Sequence, residues 1–137
     1  AGIKEACGNM EQICETARRI RGKCDLYSGD DNLNLPILAI GGAGLISVAS
    51  NIIPKETKAL YNYMAAGDLA SANAIQDKML PLIDAMFMEV NPIPAKAAAE
   101  MIGLCGGKPR APLTELEPAH KEQLAAILKS FGLKLKT

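Results

Sequence analysis

Lys4 closes a short apolar opening, Ala1-Gly2-Ile3-Lys4, and Glu5-Ala6-Cys7-Gly8-Asn9 then turns the chain before helical spacing begins at about Met10. A lysine at the C-terminal end of a strand is chemically loaded. An amine withdrawn from water favours its neutral form, and a neutral amine condenses with a carbonyl to give an imine. The plain alternative is a surface cation whose stem lies on apolar atoms while its head reaches solvent. Two further apolar stretches end in residues that can bind or polarise a substrate: Gly29-Asp30 after Cys24 to Ser28, and Val48 to Asn51 after Gly44. The four cysteines (Cys7, Cys14, Cys24, Cys105) form no C-x-x-C pair, and His120 is the one histidine, so no metal site is expected. No secretory leader pattern precedes them. Reduced thiols in a cytoplasmic protein are expected, with a Cys7–Cys14 disulfide left open.

The elements that must position these residues alternate. After the opening strand, Ile13, Ala17 and Ile20 recur at helical spacing up to Gly22. A strand over 24–28 leads to Gly29-Asp30-Asp31, where an aspartate can cap a helix running from about Asn32 to Ile40. Gly44 to Ala49 is predicted as a third strand, apolar enough to be buried on both faces. Strand–helix alternation with short connections predicts a parallel sheet. Gly41-Gly42-Ala43-Gly44 resembles a phosphate cradle. It lies before a strand, however, and is read as a tight helix-to-strand turn. From Pro54 onward the pattern is helical: about 55–66, then a helix capped by Asp68 with Leu69, Ala72, Ile75, Met79, Leu82 and Met86 on one face, then 95–101, and a last helix from Pro118 to Gly132. The division is therefore 1–66, strands with helices, and 67–137, helical.

The 137 residues suffice for one core. With 15 basic and 15 acidic residues and no Trp, neither the charge nor the aromatic platforms that nucleic acid requires are present, and no nucleic-acid partner is expected. Asn32 to Pro54 carries no charge beyond its flanks, but Pro36, Gly41, Gly42 and Gly44 punctuate it, so no membrane span is expected.

Gly2-Ile3-Lys4-Glu5-Ala6-x-Gly8-Asn9 resembles the Schiff-base lysine motif of the dihydrodipicolinate synthase family, relatives of N-acetylneuraminate lyase among the pyruvate-dependent class I aldolases. Further blocks match in order: Leu26-Tyr27-Ser28-Gly29-Asp30-Asp31, Gly44 to Asn51, Asn91-Pro92-Ile93-Pro94-Ala95-Lys96 and Arg110 to Thr114. The resemblance implies an α/β fold, the C-terminal part of a TIM (β/α)8 barrel, with three parallel strands followed by a helical region. A full barrel needs about 250 residues. A chain that starts inside a strand without Met is therefore expected to be a piece that partners the other half of the barrel.

The resemblance also implies a lyase of lysine and diaminopimelate biosynthesis. Lys4 would condense with pyruvate, and the enamine would attack L-aspartate semialdehyde, with the lysine–pyruvate imine in place of any cofactor. It maps Gly29 and Ile46 to pyruvate contacts through their main chains, with Asp30, Val48 and Asn51 nearby; Asp30 reads equally well as a helix cap. Cys7 stands where the family has Ser or Thr. A homo-oligomer, dimer or tetramer, is implied. Two alternatives stay open: a sugar-acid aldolase of the neuraminate lyase type, and a non-catalytic half-barrel used in assembly.

Overall fold

The computed structural model describes residues 1–105 and 107–136. Three strands form one parallel sheet in sequential order: β1 (Gly2–Glu5), β2 (Asp25–Ser28) and β3 (Gly44–Leu45). Lys4 pairs with Tyr27 and Glu5 with Ser28; Tyr27 pairs with Gly44 and Ser28 with Leu45. The ladder continues past the strand ends. Gly29 N–H donates to Glu5 O at 2.7 Å and Ile46 N–H to Ser28 O at 2.7 Å, so the three C-terminal ends are tied side by side.

Helices α1 (Met10–Ile20) and α2 (Asn34–Ala39) follow β1 and β2. Asn9 caps α1, its Oδ1 accepting from the Glu11 and Gln12 N–H groups at 3.0 and 3.2 Å. Ile13 and Ala17 of α1, Leu26 of β2 and Ile37 of α2 make a buried core, bordered by Met10, Ile20, Leu33 and Ile40. Along β2 the side chains alternate: Leu26 and Ser28 are buried, Asp25 is exposed and Tyr27 half-buried. The helices cover one face of the sheet, and among the described residues the other is open. On that face the Tyr27 ring lies between two glycines. A Cβ on Gly2 would stand 2.6 Å from Tyr27 Cε2, and one on Gly44 3.3 Å from the ring.

Three expectations change. The third strand is two residues long rather than Gly44 to Ala49. Once β2 gives way to the Gly29-Asp30 turn, later residues have no strand to pair with, and the chain enters a 3₁₀ turn at Ala49–Asn51. β3 is not buried on both faces, for Gly44 is buried but Leu45 is half-buried and Ile46 48% exposed. The helix from Asn32 to Ile40 is a 3₁₀ turn, Asp31–Leu33, followed by the shorter α2. Pro36 lacks the N–H that an α-helical bond back to Asn32 would need, and Leu33 N–H instead closes on Asp30 O at 3.1 Å. Gly41-Gly42 is the expected turn, its N–H groups returning to Leu38 O and Ile37 O.

The remaining helices are α3 (Pro54–Ala65), α4 (Leu69–Ala85), α5 (Ile93–Met101) and α6 (Pro118–Phe131). Residue 66 lies in the turn between α3 and α4. By compactness the chain groups as Ala1–Ser47 with Lys55–Gln76, and as Val48–Pro54 with Asp77–Thr137. In α4, Ala72, Met79 and Leu82, with Met86 just past its end, are buried as their spacing requires. Leu69, at the first position, is 52% exposed, and buried Gln76 joins the inward face. The second unit buries Leu82, Ile83, Met86, Ile93, Ala98, Leu124 and Leu128. No helix among the described residues is long and apolar enough to cross a membrane.

Candidate active site at the strand ends

Lys4 sits on the open face of β1, one residue before the strand ends. Its side chain runs across the start of the turn after β2. A Cβ added to Gly29 would stand 2.5 Å from Lys4 Cε and 2.9 Å from Lys4 Cγ, so glycine at 29 is what admits the lysine. Ile46 follows β3, its N–H held by Ser28 O. Register thus brings Lys4, Gly29 and Ile46 onto neighbouring strand ends. The dry setting expected for Lys4 is not supplied by the described residues: the side chain is exposed, because the face it occupies carries no covering layer here.

The neighbouring carboxylates are engaged. Glu5 Oε1 accepts the Cys7 N–H at 2.8 Å, and the Cys7 thiol and N–H hold the Glu5 carboxyl below the usual glutamate range. Asp30 Oδ1 accepts the Asn32 N–H at 3.0 Å and caps the 3₁₀ turn. Asp31, which the sequence offered only as one of two aspartates able to cap a helix, is 1% exposed. Its Oδ1 accepts from the Ser47 hydroxyl and, at 3.3 Å, from Asn34 Nδ2. In the second unit Val48 precedes the 3₁₀ turn and Asn51 ends it, Asn51 Nδ2 donating to Val48 O at 3.0 Å. The four cysteines are free, which closes the Cys7–Cys14 question for this structure.

Two other features belong to the second unit. A cavity of ≈ 380 Å³ is lined by residues including Lys96, Glu100, Lys108 and Lys121, none of them among the strand-end residues above. Glu89, Glu117 and His120 place ligand-type atoms within 4.8 Å of one another, a grouping that a lone histidine did not suggest. The Glu117-x-x-His120 spacing at a helix start was its only trace in the sequence. Glu89 Oε1 accepts from His120 Nδ1 at 2.7 Å and from Glu117 N–H at 3.0 Å, which makes the group a brace for the start of α6.

Sequential parallel strands with helices on one face are the pattern of a segment of a (β/α)8 barrel. The chain belongs to the dihydrodipicolinate synthetase family, which it matches over residues 1–131. It is 45% identical over 134 residues to the 4-hydroxy-tetrahydrodipicolinate synthase of Caldicellulosiruptor bescii, covering 98% of this chain and 45% of that protein. It is 44% identical over 132 residues to the synthase of that name from Archaeoglobus fulgidus, covering 96% and 46%. The crystal structure of dihydrodipicolinate synthase from Aquifex aeolicus superposes on all of this chain and 47% of its own, with a TM-score of 0.96 and 39% identity. The chain therefore spans somewhat under half the length of the relatives it matches.

Proposed function

We propose that this chain carries the Schiff-base segment of a 4-hydroxy-tetrahydrodipicolinate synthase, the activity named for its relatives. The observation that carries the reading is the passage of Lys4 over Gly29, which leaves the amine beside two strand ends with main-chain groups to offer. Lys4 Nζ attacks the ketone of pyruvate and water leaves, giving an iminium. The iminium draws electrons from the adjacent C–H bond, and loss of a methyl proton yields the enamine. The enamine carbon then bonds to the aldehyde carbon of L-aspartate semialdehyde, and cyclisation of the adduct frees the lysine. No cofactor is needed, because the imine is itself the electron sink.

In this proposal Gly29 and Ile46 bind the keto acid through main-chain groups, which is why a glycine and an aliphatic residue can serve a polar ligand. Asp30 and Asn51 each spend the polar atoms described above on their own turns. Val48 serves the same turn as Asn51 through its carbonyl. In this proposal the covering layer of exposed Lys4 comes from the remainder of a barrel, the part of the relatives this chain does not span.

The test is covalent trapping. The chain, alone and mixed with a segment spanning the preceding half of the C. bescii relative, is incubated with pyruvate and borohydride. Intact mass and peptide mapping should show a reduced pyruvate adduct on Lys4, lost in Lys4→Ala. An unmodified Lys4 in the mixture overturns the proposal. Turnover with aspartate semialdehyde and with a sugar-acid aldehyde, measured side by side, assigns the acceptor.

A further inference from the structure

Asp31 is a carboxylate buried to 1% exposure that takes no part in the chemistry above. Burying a carboxylate costs far more than burying an amide or hydroxyl, so such a group persists where it organises its neighbours. Its surroundings show what it organises. Upstream, the turn leaving β2 is locked: the Ser28 hydroxyl donates to Asp30 O at 2.8 Å, and the Asp30 carboxylate caps the next residue but one. On one side, Gln76 Nε2 of α4 donates to Asp31 O at 3.2 Å and to Asn32 O at 3.4 Å, pinning the Asp31 main chain. Downstream, the Asp31 carboxylate accepts the hydroxyl of Ser47, the residue after Ile46. β3 ends at Leu45, and Ile46 is held by a single ladder bond, its N–H to Ser28 O. The Asp31–Ser47 hydrogen bond is thus the clamp on the far side of Ile46, and it ties that residue to the same turn that presents Gly29.

We propose that Asp31 is a positioning residue that, through Ser47, fixes the main chain of Ile46 against Gly29 and so sets the main-chain groups that a 2-keto acid held at Lys4 meets. The proposal rests on the reading of Lys4, Gly29 and Ile46 given above. Asn34 Nδ2 shares the same carboxylate oxygen, while Asn34 Oδ1 and Gln76 Oε1 have no partner among the described residues. The polar groups around Asp31 are therefore aimed at holding it, and two acceptors are left unmet in doing so.

The experiment compares Ser47→Ala, Ser47→Thr and Asp31→Ala with the wild-type chain, in whichever form of the trapping assay gives the Lys4 adduct. Trapping rate is followed against pyruvate concentration. Ser47→Ala and Asp31→Ala are expected to raise the half-saturating pyruvate concentration about tenfold, with the rate at saturation within about twofold of wild type, and Ser47→Thr to restore binding. A role confined to stability would instead lower the rate at every concentration and leave half-saturation unchanged, and that result overturns the proposal. Amide hydrogen exchange at Ile46 gives a second reading without chemistry. It is expected to rise at least tenfold in Ser47→Ala, and unchanged exchange also overturns the proposal. Should Asp31→Ala fail to fold, the Ser47 pair and the exchange measurement decide alone. Absence of any wild-type adduct overturns the Lys4 reading and this inference with it; a wild-type adduct with unaltered Ser47 variants overturns this inference only.

Discussion

Gly29 does its work by lacking a side chain. Its ideal Cβ position is 2.5 Å from Lys4 Cε and 3.0 Å from the Ala6 methyl, so an alanine there must displace the lysine. The obstructed atom belongs to a long, exposed side chain, and the displacement should cost little stability. It should cost much in geometry, since an error of about 1 Å in a reacting group can lower a rate on the order of 10²-fold. Gly29→Ala is therefore expected to slow Lys4 trapping by that order while the melting temperature stays within a few degrees of wild type. An unslowed adduct would show that the lysine reaches its substrate by another path. At this scale the sequence singled out Lys4, where motif and chemistry coincide, and was silent where the role is steric or buried. Nothing in the spacing of Gly-Asp-Asp separates a surface cap, Asp30, from a buried clamp, Asp31, because the two differ only in which way the turn points them.

The start of α6 shows how an element borrows a cap from elsewhere in the chain. Glu117 precedes Pro118 and makes no side-chain cap of its own; Glu89 supplies a carboxylate to the Glu117 N–H and to His120. A negative charge near a helix N-terminus is favourable. The hydrogen bond from His120, and then that from the Glu117 N–H, lower the Glu89 pKa from its ordinary 4.5. A carboxyl lowered on folding stabilises the protein fully above its unfolded value, and that contribution is lost as pH falls through the folded value. The wild-type chain is thus expected to melt above Glu89→Gln at neutral pH, with the gap closing as pH drops below about 4.5. A gap independent of pH would mean that the brace works by shape alone. Helical periodicity placed most elements within a residue or two, because buried residues recur with the helix turn. It missed the 3₁₀ turn at Asp31–Leu33 and the brevity of β3, since those depend on where a hydrogen-bond partner runs out, which no local pattern records.

At the scale of the molecule, the sheet is the part left uncovered among the described residues. β1 and β3 are its edges, and its open face carries exposed Lys4 and half-buried Tyr27, with Ile46, 48% exposed, just past the end of β3. The sequence made the strand–helix alternation legible, but its apolar third stretch suggested a strand covered on both faces. The composition of a barrel strand is set by the closed barrel, whichever part of it a chain contains. Unpaired strand edges beside an uncovered face are templates for another chain. The relatives extend over more than twice the length matched here, and in the proposed reading the complementary surface comes from their preceding half. Sedimentation at micromolar concentration is expected to show the chain alone as larger than a monomer. Adding the preceding half of the C. bescii relative should convert it to a one-to-one complex and slow amide exchange at Tyr27 and Ile46. Those two amides are the discriminating sites: Ile46 already has an intrachain acceptor in Ser28 O, so added protection there must come from covering the face rather than from a new ladder. A stable monomer whose exchange is indifferent to the added half would instead make the open face a finished surface, and would count against the assembly role as well as against pairing with the preceding half.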